Sequence, residues 1–261
     1  MEAVSGIFRA RSDAEHAMAE MRSIGLAADQ ITLLTQGRAE TELQSVPADA
    51  AEQPGMGKAI GAVVGASAGL SGGALVMAAI PGVGLITAIG LLGAAVLGAA
   101  GAGIGAAAGG KLEDSMTEGL PEDELFVYED ALRKGRSVVI ALADEAKVPL
   151  LRELLKTEGA EAVDAAREQW WIGLRDAEHE HYSDLGRNFT EDEKFYRLGF
   201  ESALHARTRC KEYDQVMGEM NAEIEDLERQ HPGVDVAEPF TRGYERGRDY
   251  YQQLCSESRA A

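Results

Sequence analysis

Apolar positions alternate with polar ones at the start of the chain, fall into helical spacing soon after, and run unbroken by charge through the middle. Val4 to Ala10 predicts a short strand. Ser12-Asp13-Ala14-Glu15 predicts a capping box, with Ser12 as the cap and Glu15 reaching back to it. Ala14, Ala17, Met18 and Met21 then repeat on one helix face until Gly25 stops it. Ile31 to Thr35 predicts a second strand, so the chain opens β-α-β. Residues 36–56 are polar, carry Pro47 and Pro54, and predict a linker. The same style returns beyond residue 111. Pro121 suits a first helical position and is followed by three acids at the positive end of the helix dipole. Leu125, Tyr128 and Leu132 line one face of this helix, and Gly135 ends it. Ser137 to Ala143 predicts a buried strand. Val148 to Thr157 predicts a helix with Leu151, Leu154 and Leu155 inward, stopped by Gly159, and Ala162 to Ala165 a short closing strand. Four strands with at least two packing helices predict an α+β domain, a ferredoxin-like sandwich, with the apolar stretch inserted in its middle.

That insertion has no charged residue from Ala59 to Gly110. Ile80-Pro81-Gly82-Val83-Gly84 interrupts it near the centre and predicts a turn. Each arm, as a helix of about 24 residues, would be about 36 Å long, against a hydrocarbon core of about 30 Å. Lys58 and Lys111 would sit together at the headgroup end. Gly57, Gly61, Gly65, Gly69 and Gly73 fall every fourth residue, and Gly101, Gly105 and Gly109 repeat the spacing. Four-residue spacing puts them on one helix face, where another backbone can approach closely. The expectation is a glycine-zipper helical hairpin with these eight glycines as its packing interface. In water each Gly costs such a helix roughly 1 kcal/mol relative to Ala, which packing or lipid must offset. Ile60, Val63, Val64, Leu70, Leu75, Val76 and Ile80 favour insertion of the first arm by only about 2–4 kcal/mol, so the arms insert as a pair. The competing reading buries the hairpin between subunits of a soluble assembly. A P-loop is excluded, because Gly65-Ala66-Ser67-Ala68-Gly69 lacks the following Lys and Ser/Thr.

Residues 170–261 predict a separate acidic helical domain. Thr190-Glu191-Asp192-Glu193 has the capping-box pattern, and Tyr213, Val216, Met217, Met220, Ile224 and Leu227 form a helical stripe ended by His231-Pro232-Gly233. Phe195-x-x-x-Gly199-Phe200-Glu201 is echoed about 44 residues on by Phe240-x-x-Gly243-Tyr244-Glu245. The echo predicts two helices of a three-helix bundle packed closely through their glycines, in preference to a groove that takes a partner's aromatics. The domain boundaries are thus 1–56, 57–111, 112–169 and 170–261.

The net charge of -19 changes the picture of partners. It excludes nucleic acid, which needs a basic footprint, and it makes the flanks repel an anionic lipid surface, so any membrane attachment must come from the uncharged centre. Two cysteines, Cys210 and Cys255, form no disulfide framework and suit a reducing compartment. The opening residues Met1 to Ser5 lack the pattern of a signal peptide. Glu178 and His181 have the spacing of a di-iron ligand pair, and Glu201 with His205 is the nearest second pair, but the ligand set is incomplete. Arg207, Arg209 and Lys211 flank Cys210 and would lower its pKa, without a second Cys close in sequence. No nucleophile elbow, dinucleotide fingerprint or zinc spacing is present, so no catalytic, metal or cofactor residue is assigned.

The glycine-zipper arms broken by Ile80-Pro81-Gly82-Val83-Gly84, followed by Leu120-Pro121-Glu122-Asp123-Glu124, Tyr128-Glu129 and Gly135, resemble bacterial general-stress and low-temperature-induced proteins over residues 1–165. The resemblance implies a stress-linked, non-enzymatic role and carries over no catalytic residue. The reading is a membrane-associated stress protein of the bacterial inner membrane, its remaining parts on the cytoplasmic side. Its hairpin anchors it in the bilayer or joins copies into a homo-oligomer, and its acidic helices bind a protein partner. The alternatives are a cytoplasmic self-assembling scaffold and a metal-binding helical-bundle enzyme.

Overall fold

The computed structural model describes residues 1–37, 75–80, 83–89, 123–183, 186–209, 211 and 213–260. They form a mixed helix-and-strand protein: β1 (Glu2–Phe8), α1 (Arg11–Ser23), β2 (Ile31–Gln36), β3 (Leu75–Ile80), β4 (Gly84–Ile89), α2 (Leu125–Arg133), β5 (Ser137–Ala143), α3 (Val148–Thr157), α4 (Val163–Ser183), α5 (Phe189–Leu204), α6 (Tyr213–Gln230) and α7 (Ala237–Ala260). The chain divides into two compact units. One holds Met1–Pro121 with Val127–Ala166, the other Glu122–Phe126 with Arg167–Ala261.

In the first unit the strands make one antiparallel sheet in the order β1-β5-β2-β4-β3. Strand alternation sends Val4 and Phe8 to one face, where they join Leu33, Val139 and Ala141 beneath Ala14, Ala17 and Met21 of α1 and Leu151 and Leu155 of α3. Ser5 points to the other face and accepts a hydrogen bond from the Tyr128 hydroxyl of α2 at 2.9 Å. Gly6 is where α3 and the chain after it come closest to the sheet: a Cβ there would lie 2.8 Å from the Cβ of Ala160. Gly25 ends α1 in the left-handed region (φ +90°), and the amides of Gly25 and Leu26 bond back to Arg22 and Met21 as in a Schellman motif. His16 of α1 and Glu158, beyond α3, lie 2.7 Å apart, and the carboxylate raises the imidazole's pKa.

Several expectations need correction. The expected helical hairpin of residues 57–111 is not helical where it is described, because Leu75–Ile80 and Gly84–Ile89 are strands. They pair from Leu75↔Ile89 to Ile80↔Gly84, and β4 joins β2 through Leu33↔Ile89 to Gln36↔Ile86. The chain reverses between Ile80 and Gly84 as expected, but Val76, Ile80, Ile86, Thr87 and Ile89 are β-branched and favour a pleated sheet over a helix. The expected strand at 162–165 reduces to one antiparallel bridge between Ile7 and Glu161, after which α4 begins. Neither capping box forms as read. α1 starts at Arg11 with Ala10 at its cap, two residues early, and Arg11 draws Glu15 into an ion pair at 2.8 Å. In α5 the cap is Asn188, which accepts from the Thr190 amide, while Glu193 binds Trp171 and Arg175 instead.

The second unit contains four helices, one more than expected, because α4 runs into it. α5 and α7 meet backbone to backbone. A Cβ on Gly199 would lie 1.9 Å from the Phe240 carbonyl oxygen, and one on Gly243 would lie 1.9 Å from the Tyr196 carbonyl oxygen. The contact is reciprocal, and it is the close packing that the Phe-Gly echo predicted. Gly247 continues it against Phe200. Around it Trp171, Tyr182, Phe189, Tyr196, Phe200, Phe240 and Tyr244 are fully buried. α6 adds Val216 and Met220 against Ala203, Phe240 and Tyr244, with Ile224 and Leu227 partly covered and Met217 left exposed.

Gly199→Ala should therefore cost at least about 2 kcal/mol, because a backbone carbonyl cannot swing aside as a side chain can. Gly218→Ala, also within a helix but with nothing near its Cβ position, should be neutral or stabilising by up to about 1 kcal/mol. Urea unfolding followed by fluorescence compares them. The protein's 2 tryptophans, Trp170 and Trp171, both belong to this unit, so the signal reads it alone.

Candidate functional site

The eight glycines expected as a packing interface, Gly57, Gly61, Gly65, Gly69, Gly73, Gly101, Gly105 and Gly109, lie outside the described residues, as does Cys210. What the structure describes of the uncharged segment is the strand pair β3–β4 at one end of the sheet. Ile86, Thr87 and Ala88 are each fully buried, so β4 is covered on both faces. Thr35 and Thr87 stand directly opposite one another in the β2–β4 ladder. β3 closes the order as its last strand. Among the described residues no helix is long and apolar enough to cross a membrane.

The residues with candidate metal chemistry have other work. Glu178 of α4 is buried, and its carboxylate accepts three hydrogen bonds: from the Tyr196 hydroxyl at 2.8 Å and from Arg246 Nε and Nη2 at 3.0 and 2.9 Å. This bidentate guanidinium and phenol occupy the oxygens a metal would need. Burial raises the pKa of the Tyr196 phenol far above 10, and the Glu178 charge beside it raises it further, so Tyr196 stays a donor. Glu201 accepts from Arg197 at 2.6 Å. His179 stacks on Phe189 at 5.1 Å between centroids, and His181 is exposed. Among the described residues no three His, Cys, Asp or Glu side chains gather so as to hold a metal ion.

Two further clusters had no clear sequence signal, because their members are distant along the chain. Arg187, in the turn before α5, binds Asp192 at 2.8 Å and Asp235 at 3.0 Å and also pairs with Glu238. Asp192 in turn accepts from the Tyr182 hydroxyl at 2.7 Å. This ties the start of α5 to the start of α7. His205 caps the C-terminal end of α5 with its ring over Phe126, whose other neighbours are Trp170, with centroids 4.8 Å apart, and the Arg167 guanidinium. Burial holds His205 down at about 4, Asp123 opposing weakly and Arg167 and Arg207 adding to the depression. On α6, Glu219, Glu225, Asp226 and Glu228 stand exposed, an acidic surface apart from the buried stripe.

None of these arrangements joins a nucleophile to a base in an open cleft. They are the contacts of a packed helical unit. No protein-family model, curated protein or solved structure matches the chain.

Arg246→Met should cost about 3–5 kcal/mol, because it strands the buried Glu178 carboxylate. Adding Glu178→Gln should recover part of the loss, which a double-mutant cycle by urea denaturation measures. His205 predicts a pH dependence of definite sign. Its folded-state pKa of about 4 lies below the ordinary 6.5, so as pH falls the unfolded chain takes up the proton first. Its contribution is complete above about pH 6.5 and is lost as pH falls from there to about 4, by up to about 3 kcal/mol. His205→Gln should flatten the stability–pH curve over that window.

Proposed function

We propose that this protein is a non-enzymatic assembly protein of the bacterial stress response, and that copies join through the uncharged segment Ala59–Gly110. The observation that carries the reading is the strand pair Leu75–Ile89. The middle of the most apolar part of the chain is built into the sheet of the first unit as the strands Leu75–Ile80 and Gly84–Ile89. The stress link rests on the resemblance of residues 1–165. The sheet supports a ferredoxin-like reading of that unit. The Glu161 bridge, β1, β5 and β2 lie side by side and antiparallel, in the order of a βαββαβ sandwich, with β4 and β3 added beyond β2. The exposed acids of α6 fit a protein partner with a basic surface, and the charge of -19 keeps nucleic acid away.

A second reading, attachment to the cytoplasmic side of the inner membrane, is favoured by the stretch Gly90–Gly110, which has no charge. Its 21 residues would reach about 32 Å as a helix, whereas Ala59–Ala74, at about 24 Å, falls short of the hydrocarbon core of about 30 Å. The original two-arm spanning hairpin loses its symmetry once Leu75–Ile89 belongs to the sheet.

Fractionation of expressed protein separates the readings. The assembly reading expects wild type in the soluble fraction as a large particle without detergent, and a Gly65→Leu/Gly69→Leu variant as a smaller one. Wild type that stays in the membrane pellet through high-salt and alkaline-carbonate washes would replace it with the membrane reading.

A further inference from the structure

Leu125 and Phe126 open α2 within the helical unit, although the rest of that helix belongs to the first unit. Phe126 is packed there by three neighbours. Its ring lies 4.8 Å from that of Trp170 and 6.5 Å from the imidazole of His205, which stacks on it, and the Arg167 guanidinium sits 5.8 Å from its centroid. Phe126 and Trp170 are buried, and His205 is partly buried at the end of α5. Charges face the imidazole from each element beside it: Arg167 from α4, Arg207 from the chain beyond α5, and Asp123 from the chain before α2. Asp123 already serves Arg167, whose Nη2 lies 3.7 Å from its carboxylate and 3.5 Å from its carbonyl oxygen. A proton on His205 would therefore set a third cation beside one engaged acid. The carbonyls that end α5 favour a cation there, but the loss of water around the ring opposes it more strongly.

We propose that His205 is an acid-sensitive clasp: proton uptake by its ring releases Phe126 from Trp170 and opens the first turn of α2, while the α5–α7 crossing stays closed. In the released state the imidazolium reaches water. In the clasp it is pressed against the Phe126 ring with two guanidiniums near it. Burial accordingly holds the closed imidazole down at about 4, against an ordinary 6.5. The released state thus takes up the proton first, and its share rises by about tenfold for each pH unit lost between about 6.5 and 4. The crossing has no such group. Gly199 and Gly243 meet backbone there, and Glu178 is held by Tyr196 and Arg246. The unit's other histidines stand elsewhere: His179 on Phe189, His231 against Phe195 and Lys194, and His181 exposed. Local release of this kind, below the cost of global unfolding, is how a single titrating side chain acts as a switch. The clasp does not depend on how copies associate.

The test uses the full chain and acrylamide quenching of tryptophan fluorescence lifetimes, because Phe126 covers Trp170 while Trp171 stays in the core. Wild type should be weakly quenched at neutral pH, and the quenching constant should grow at least about threefold on acidification to about pH 4.5, with far-UV circular dichroism unchanged. His205→Gln should stay weakly quenched throughout, and Phe126→Ala should be strongly quenched at every pH. In wild type the His205 Cε1 proton resonance, followed by NMR, should move over the same pH range as the quenching, which decides the matter if either variant fails to fold. The clasp is overturned by any of four results: wild-type quenching that ignores pH, the same rise in His205→Gln, a rise that accompanies loss of circular dichroism, or titration of His205 without a rise.

Discussion

In the helical unit backbone comes closer to backbone than side chains permit, and the unit depends on glycine at that place. Where α5 crosses α7, the carbonyl oxygens of Phe240 and Tyr196 sit 1.9 Å from the positions a Cβ on Gly199 or Gly243 would take. The aromatic core of the helical unit is organised around that approach. Tyr196, Phe200, Phe240 and Tyr244 flank the glycines and are fully buried because the two helix axes lie so near. In the first unit Gly6 makes room for side chains in place of backbone, letting those of Leu155 and Ala160 settle onto the sheet. A missing side chain is a steric permission that costs backbone entropy, and it is retained where the gain in packing exceeds that cost.

The ionic groups act on top of this packing. Glu178 and Arg246 are distant in sequence yet form a bidentate pair beneath the crossing, with the Tyr196 hydroxyl as the third donor. Such a pair adds little net stability over an apolar core of the same shape, but it tolerates no partial loss, so it fixes which face of α4 meets α5 and α7. Arg187 with Asp192, Asp235 and Glu238 fixes the starts of α5 and α7 in a similar way. These carboxylates are engaged by cations and phenols.

For the uncharged segment the deciding term is what its backbone bonds to. An apolar stretch can satisfy its amides and carbonyls within a helix or across a sheet, and composition does not choose between these. Glycine every fourth residue suggests a helix, but that spacing stops at Gly73 and resumes at Gly101. Between them glycines fall at 82, 84, 90, 93 and 98 with no common period, and β-branched residues gather around Pro81-Gly82. Those were the legible signs of a strand pair.

The sequence by itself determined the local events. Gly25 and Gly135 stopping their helices, the strand Ser137–Ala143, the helix Val148–Thr157, the chain reversal between Ile80 and Gly84 and the glycine echo at Gly199 and Gly243 all follow from the propensity and periodicity of a few adjacent residues. Only the tertiary structure decided that Leu75–Ile89 extends the sheet beyond β2, that Glu15 and Glu193 serve distant or lateral cations and not their own helix ends, and that Glu178 faces Arg246. Apart from the Arg11–Glu15 pair within α1, each of those outcomes depends on a partner many residues away. A strand's register, a carboxylate's counter-ion and a buried histidine's depressed pKa come into being only when the folded chain brings that partner near and removes the water between them.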